Sequence, residues 1–158
     1  MRKLRLTLTA VAVAALLSAC GGPRDPQALT TSARELAAAN DHAKAIIQLK
    51  NALQQQVNLT EARFLLGRSL LATGDAAGAV IELRRARELG HPDPEVVPLI
   101  ALALLVQGQH DRLHQEFATV ALDDAAAQAD LKVTLAQSYA ARGERERLEA
   151  AVAAALQA

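Results

Sequence analysis

The feature that most constrains this chain is a periodicity of 34 residues that runs through most of its length. Small residues, large apolar residues and turn residues recur in phase when the sequence is compared with itself at that shift. The clearest copy is "TEARFLLGRSLLATGDAAGAVIELRRARELGH", residues 60 to 91, and the units begin near residues 26, 60, 94 and 129, the last displaced by one residue. Such a period is typical of arrays in which each unit buries its apolar face against its neighbours.

Within each unit, the pattern predicts two antiparallel helices joined by a tight turn. Position 15 holds Gly or Asn, the residues that end a helix in the left-handed conformation most readily. Positions 8, 20 and 27 are mostly small, so the two helices can approach closely where they cross. The residues predicted to pack at these crossings are Ala33, Gly67, Ala79, Ala86, Ala101 and Ala136.

These positions resemble the signature of the tetratricopeptide repeat. The resemblance implies an all-α fold, a right-handed superhelical solenoid of about four helix-turn-helix units over residues 26–158. A general amphipathic bundle is the alternative, but it would show an apolar stripe without the 34-residue phase. The Ala- and Leu-rich composition, with no Trp and only five Pro, favours helices throughout.

The N-terminal stretch "MRKLRLTLTAVAVAALLSACGG" has the layout of a secretory signal over residues 1–19: a basic head, a short apolar run and small residues before Cys20. "LSAC" resembles the bacterial lipobox, which implies cleavage before Cys20 and lipidation of its thiol, with residues 20–26 as the tether. A lone cysteine cannot form an intramolecular disulfide, and its neighbours supply no base for a catalytic thiol. Because Gly21 follows it rather than Asp, the resemblance implies the periplasmic face of the outer membrane.

The charge pattern argues against a nucleic-acid partner. The chain has 17 basic and 17 acidic residues, and three of the basic ones lie in the first five positions, which leaves a net charge of −3 from Cys20 onward. The segment "RRARE", residues 84 to 88, is short and of mixed sign.

Few residues offer catalytic chemistry. His110 and His114 have a spacing that could place two imidazoles over one metal ion, but without an HExxH pattern or an evident third ligand a solvated pair is favoured. Asp123 and Asp124 are interpreted as a polar loop or a helix cap. We therefore expect no cofactor, no metal site and no enzymatic activity, and a metal-dependent enzyme is the remote alternative.

The repeat register also predicts a partner-binding groove. The first helices of successive units line one concave surface through positions 2, 5, 9, 12 and 13, which suits an extended peptide or a partner's helix. The predicted groove is basic at one end and apolar at the other, and Phe64 is the expected anchor. The groove residues are Thr30, Arg34, Phe64, Arg68, Leu71, Leu102, Leu105, Val133 and Gln137.

Three segments carry a closer resemblance: "AIIQLKNALQ", "EARFLLGRSLLATGDAAGAVIELRRARELGHP" and "EVVPLIALALLVQGQ". With the lipobox, they resemble the N-terminal part of the PrsT family, tetratricopeptide lipoproteins encoded with exosortase/PEP-CTERM sorting and exopolysaccharide systems. The resemblance implies a non-enzymatic envelope scaffold with a protein or peptide partner and no small-molecule substrate. An assembly lipoprotein of an outer-membrane-protein insertion or pilus-secretin system remains the alternative.

Overall fold

The computed structural model describes residues 25–155, so the predicted signal peptide and Cys20 lie outside the described residues. Within this range the chain is all-α, as predicted, with no strand. Its helices are α1 (Pro26–Ala38), α2 (His42–Gln55), α3 (Thr60–Ala72), α4 (Ala76–Glu88), α5 (Asp93–Val106), α6 (His110–Phe117), α7 (Ala125–Arg142) and α8 (Arg145–Ala155).

Helices α1 to α5 stack as a solenoid, since α1 to α4 each pack mainly on the helices just before and after them in the chain. Helices α1 and α2, α3 and α4, and α7 and α8 form pairs, while α3 also packs on α2 and α5 on α4. The last junction differs: α7 packs mainly on α5 and only slightly on α6. Helix α6 has 8 residues, whereas α2 has 14 and α4 has 13, so it offers less surface to the unit that follows.

The predicted turn chemistry is present at the end of every first helix. Each of these helices is followed by a residue with positive φ: Asn40, Gly74, Gly108 and Gly143. Asp41 and Asp75 then cap the second helices, where their carboxylates accept hydrogen bonds from the backbone N–H groups of Lys44 and Gly78.

Asp111 also lies near the start of a second helix, but it does not cap that helix. It lies in the first turn of α6, and the N-cap is Gln109, whose side chain makes no capping bond. The Asp111 carboxylate instead accepts a hydrogen bond from Arg142 of the next unit.

The residues predicted to pack at the helix crossings are all buried: Ala33, Gly67, Ala79, Ala86, Ala101 and Ala136. Gly67 shows how close the helices approach. A Cβ atom placed on it would lie 2.5 Å from Cγ of Leu83, which is itself fully buried on α4.

Candidate functional site: the concave face of the first helices

The predicted groove residues do not form one continuous exposed surface. Arg34, Arg68, Leu102 and Gln137 occupy position 9 of the four units and are exposed. Leu71 and Leu105, at position 12, are half-buried, and Thr30 is buried. Val133, at position 5, is 48% exposed, so the accessible part of the surface is built from position 9 and Val133, with partial access to position 12.

Phe64 was predicted to anchor a partner, and the structure corrects this. Its side chain is only 5% exposed, because the turn leading into unit three covers it. The ring stacks on His91 with a centroid distance of 3.9 Å, and the guanidinium of Arg68 lies 5.5 Å from its centre on the ring face. His91 is itself buried, with Nε2 at 3.2 Å from Oε2 of Glu95. Phe64 is thus part of the packing between units two and three.

The basic end of the predicted groove also has less uncompensated positive charge than the sequence indicates. Arg34 donates a hydrogen bond of 2.9 Å to Oε1 of Glu61, which places an opposite charge beside it. Both side chains are largely exposed, so the pair contributes little to stability. Arg68 is the other cation of the predicted groove, and its guanidinium lies over the face of the Phe64 ring.

The apolar end of the surface lies on α5. Leu102 is 37% exposed and Val106, one turn further along, is 60% exposed, with Leu105 half-buried beside them. Val106 is a residue that the sequence reasoning missed, although it occupies position 13 of its unit. The sequence did carry a signal, because Val106 is a larger apolar residue at a groove position where the other units have alanine. Those alanines are Ala38, Ala72 and, allowing for the one-residue displacement, Ala141.

His110 and His114 are not the solvated pair that the sequence favoured. Nδ1 of His110 lies 2.9 Å and Nε2 of His114 lies 3.0 Å from Oγ of Ser138, a fully buried residue of α7. His114 also stacks on Tyr139 with ring centroids 4.0 Å apart. Burial is the main reason that the pKa of His114 lies below its usual 6.5, and the positive charge of Arg142 lowers it further.

The hydroxyl of Ser138 carries one proton, so it can donate to only one of the two imidazoles that it contacts. The other imidazole makes its hydrogen bond by donating a ring N–H to the serine oxygen. Nδ1 of His114 is buried without a hydrogen-bond partner among the described residues.

These contacts leave no room for metal binding by the two imidazoles or for a reactive serine. The point on which both imidazoles converge is occupied by the serine hydroxyl, and no group of three or more His, Cys, Asp or Glu side chains within residues 25–155 could hold a metal ion. Because Ser138 is 0% exposed, its hydroxyl is not accessible to a substrate. The cluster joins units three and four, and no feature of the sequence pointed to Ser138.

The two acidic residues in the linker before α7, Asp123 and Asp124, have different roles. Asp124 caps α7, since its Oδ1 accepts a hydrogen bond of 2.8 Å from the backbone N–H of Ala127. Asp123 is exposed. The interpretation of this pair as a loop and helix cap is therefore confirmed.

None of the helices within the described range combines the length and the hydropathy that a bilayer crossing requires. Residues 36–103 match a protein-family model described as tetratricopeptide repeat. The match runs from the end of α1 to the last turn of α5, the part of the solenoid in which successive units pack regularly. No curated protein matches the chain.

Proposed function

We propose that this tetratricopeptide-repeat chain is a scaffold that holds a protein partner against the concave face of α5, with Leu102 and Val106 as the contact centre. Tetratricopeptide repeats serve protein–protein interaction, and the observation that supports this contact surface is the exposure of these two side chains. Exposed apolar side chains that lie together on a soluble surface mark sites of interaction.

The chemistry of the surroundings defines the partner segment. Arg68 occupies the same repeat position as Leu102 one unit earlier, on a helix that touches α5. A segment that places an apolar side chain over Leu102 and an acidic side chain toward Arg68 would match both. A partner helix with apolar residues on one face fits this arrangement, as in other helix-in-groove complexes.

We further propose that the scaffold acts in a bacterial envelope, held by lipid on Cys20 at the periplasmic face of the outer membrane. This part of the proposal is supported by the lipobox and by the resemblance to the PrsT family. The corresponding role is exosortase/PEP-CTERM-linked export of exopolysaccharide or surface proteins. More than one acyl chain would hold the protein stably, because a single chain gives only marginal, reversible binding.

Site-specific crosslinking in intact cells tests the contact surface. A photo-reactive residue at position 102 of the full chain should capture a discrete envelope protein, which mass spectrometry then identifies. A matched probe at position 81 provides the control, since Ile81 is also apolar and is 67% exposed, but lies on the second helix α4. Capture from position 81 and not from position 102 would place the partner on the other face of the array.

Substitution then tests whether the captured contact contributes to binding. Leu102→Asp combined with Val106→Asp, in a chain without the photo-reactive residue, should lower recovery of the identified partner by pull-down at least about tenfold, because a charge would face an apolar partner surface. Ile81→Asp should leave recovery unchanged. Equal helical content of both variants by circular dichroism excludes unfolding as the cause.

A further inference from the structure

Helix α6 is held in the array by few contacts. It has 8 residues, and it packs only lightly on α5 before it and on α7 after it. Leu113 and Phe117 are its only buried side chains. A turn at Gly108, with positive φ, precedes the helix and the linker of residues 118–124 follows it. Helix α6 can therefore move without unfolding a neighbouring helix.

The histidine pair makes the buried polar contact between α6 and α7. Nδ1 of His110 and Nε2 of His114 both lie within 3.0 Å of Oγ of Ser138, and the His114 ring stacks on Tyr139. A second link, from the Asp111 carboxylate to Arg142, lies at the surface, where an ion pair contributes little. The contact of the two imidazoles with α7 is therefore the one whose chemistry changes most with protonation.

The neutral form of His114 fits this position, and the protonated form does not. A protonated imidazole carries an N–H group on each of its two nitrogens. Nε2–H keeps an acceptor in the Ser138 oxygen, but Nδ1–H would be buried without an acceptor among the described residues. A buried donor without an acceptor loses its hydration and gains nothing in return, so protonation opposes the closed arrangement.

The charges that face His114 act in the same direction. Burial lowers the pKa of His114 most, and Arg142 of α7, Arg147 near the start of α8 and His110 on α6 itself lower it further. Glu144, in the turn between α7 and α8, raises it. That carboxylate is already shared by the two arginines, with Nε of Arg142 at 2.6 Å and Nη1 of Arg147 at 2.9 Å.

The helices on the other side of α6 place no free carboxylate beside His114. The charged residues of α5 are Asp93 and Glu95, both in its first turn, where they contact Arg87 and His91. Helix α4 reaches α6 through Arg84, which pairs with Glu116.

We propose that α6 is a pH-sensitive latch between units three and four, closed while His114 is neutral and opened by proton uptake on His114. Opening brings the imidazolium into water, where its second N–H finds an acceptor and the charges of the arginines are screened. Opening is local, because α7 stays packed on α5. The latch depends on neither the Leu102 and Val106 contact nor the lipid anchor, so it succeeds or fails separately from the proposed function.

The pH window follows from the two states of His114. In the open latch the pKa of His114 is the ordinary value of about 6.5, and in the closed latch it lies lower. The closed form is therefore fully favoured above about pH 7 and loses ground as pH falls through 6.5. For one proton, the opening equilibrium rises at most about 25-fold between pH 7 and pH 5.

Amide hydrogen exchange of the full chain measures this equilibrium. The N–H groups of Leu113 and Ala118 bond to the carbonyls of Gln109 and His114, and an eight-residue helix is not stable once detached, so these amides exchange when the latch opens. After correction for intrinsic exchange rates, their protection should fall by about 5- to 25-fold from pH 7 to pH 5. At both pH values it should be lower than the protection of α3 and α4, and low urea should not change it, because local opening exposes little surface.

Two matched variants assign the effect to His114. His114→Gln removes the titrating group and should abolish most of the pH dependence of α6. His91→Gln should leave that dependence unchanged, because His91 is also buried but has the Glu95 carboxylate at 3.2 Å and lies outside the latch. If His114→Gln leaves α6 detached at every pH, the imidazole signals of the unsubstituted chain still decide, since His114 should titrate below 6.5.

Four outcomes would overturn the latch. The protection of Leu113 and Ala118 could be the same at pH 7 and pH 5, or it could equal that of α3 and α4, which would mean that α6 opens only when the whole array unfolds. The pH dependence could also survive in His114→Gln. Finally, His114 could titrate at or above its ordinary pKa in the folded chain.

Discussion

Replacing Gly67 with Ala should destabilise the array, although Ala is the better helix former. The substitution adds a Cβ atom at 2.5 Å from Cγ, 2.9 Å from Cδ2 and 3.2 Å from the backbone nitrogen of Leu83. Non-bonded carbon atoms prefer about 3.5–4.0 Å, so the nearest contact is about 1 Å too short. Leu83 is fully buried and cannot rotate into open space, which forces α3 and α4 apart.

The magnitude follows from two opposing terms. Ala is favoured over Gly in a helix interior by about 1 kcal/mol, and overpacking a dense core costs about 1–3 kcal/mol. The backbone contact places this site in the upper part of that range, so the net loss in the free energy of unfolding is about 1–2 kcal/mol. At about 4 °C per kcal/mol, the melting temperature should fall by roughly 4–8 °C.

Urea unfolding followed by circular dichroism measures the change, and a double variant tests its cause. Leu83→Ala alone should cost about 2–5 kcal/mol. In the pair, Gly67→Ala should destabilise less than it does alone, since Cγ and Cδ2 of Leu83 are gone and only the contact with its backbone nitrogen remains. Arg68 is the exposed neighbour of Gly67, so the difference in the free energy of unfolding between Arg68→Ala and Arg68→Gly measures how much Ala is favoured over Gly in this helix. If Gly67→Ala stabilised the chain by that same amount, the close approach of α3 and α4 would be refuted.

Three further outcomes are expected. Because the folded-state pKa of His114 lies below its unfolded value, the unfolded state binds the proton first as pH falls. The melting temperature should therefore drop between about pH 7 and 5, and it should drop less in His114→Gln. Gly74→Ala should cost about 1–2 kcal/mol in urea unfolding, because φ is +89° there, whereas Asn40→Gly should be neutral or stabilising; equal effects would contradict the turn assignment. Mass spectrometry of the membrane fraction should find acylated Cys20 as the first residue, and Cys20→Ser should release the protein; an unmodified Cys20 still preceded by residues 1–19 would contradict the anchor.

Most of the helix boundaries could be predicted because they depend on local chemistry. Gly74 and Asn40 end their helices through backbone conformations that few other residues adopt, and Asp75 caps through a bond to a residue three positions away. The 34-residue phase also identified the close crossing at Gly67, since a small residue recurs there in every unit.

The candidate site was less predictable, because exposure depends on what the neighbouring unit covers. The rarity of Phe in the sequence makes Phe64 the expected anchor, but His91, 27 residues further along the chain, stacks on its ring. His110 and His114 were expected in solvent, but Ser138 of the next unit reaches both.

The sequence by itself determined the repeat, its register and the turns, because those features follow from short-range conformational preferences repeated at a fixed interval. Only the tertiary structure decided which side chains are left accessible. Helix α7 packs mainly on α5 beside the short α6, Phe64 is buried under His91, and Val152 is exposed where Leu49 and Leu83 are buried. The physical reason is that burial depends on the surface of the neighbouring unit, whereas a residue's own helical preference carries no information about that surface.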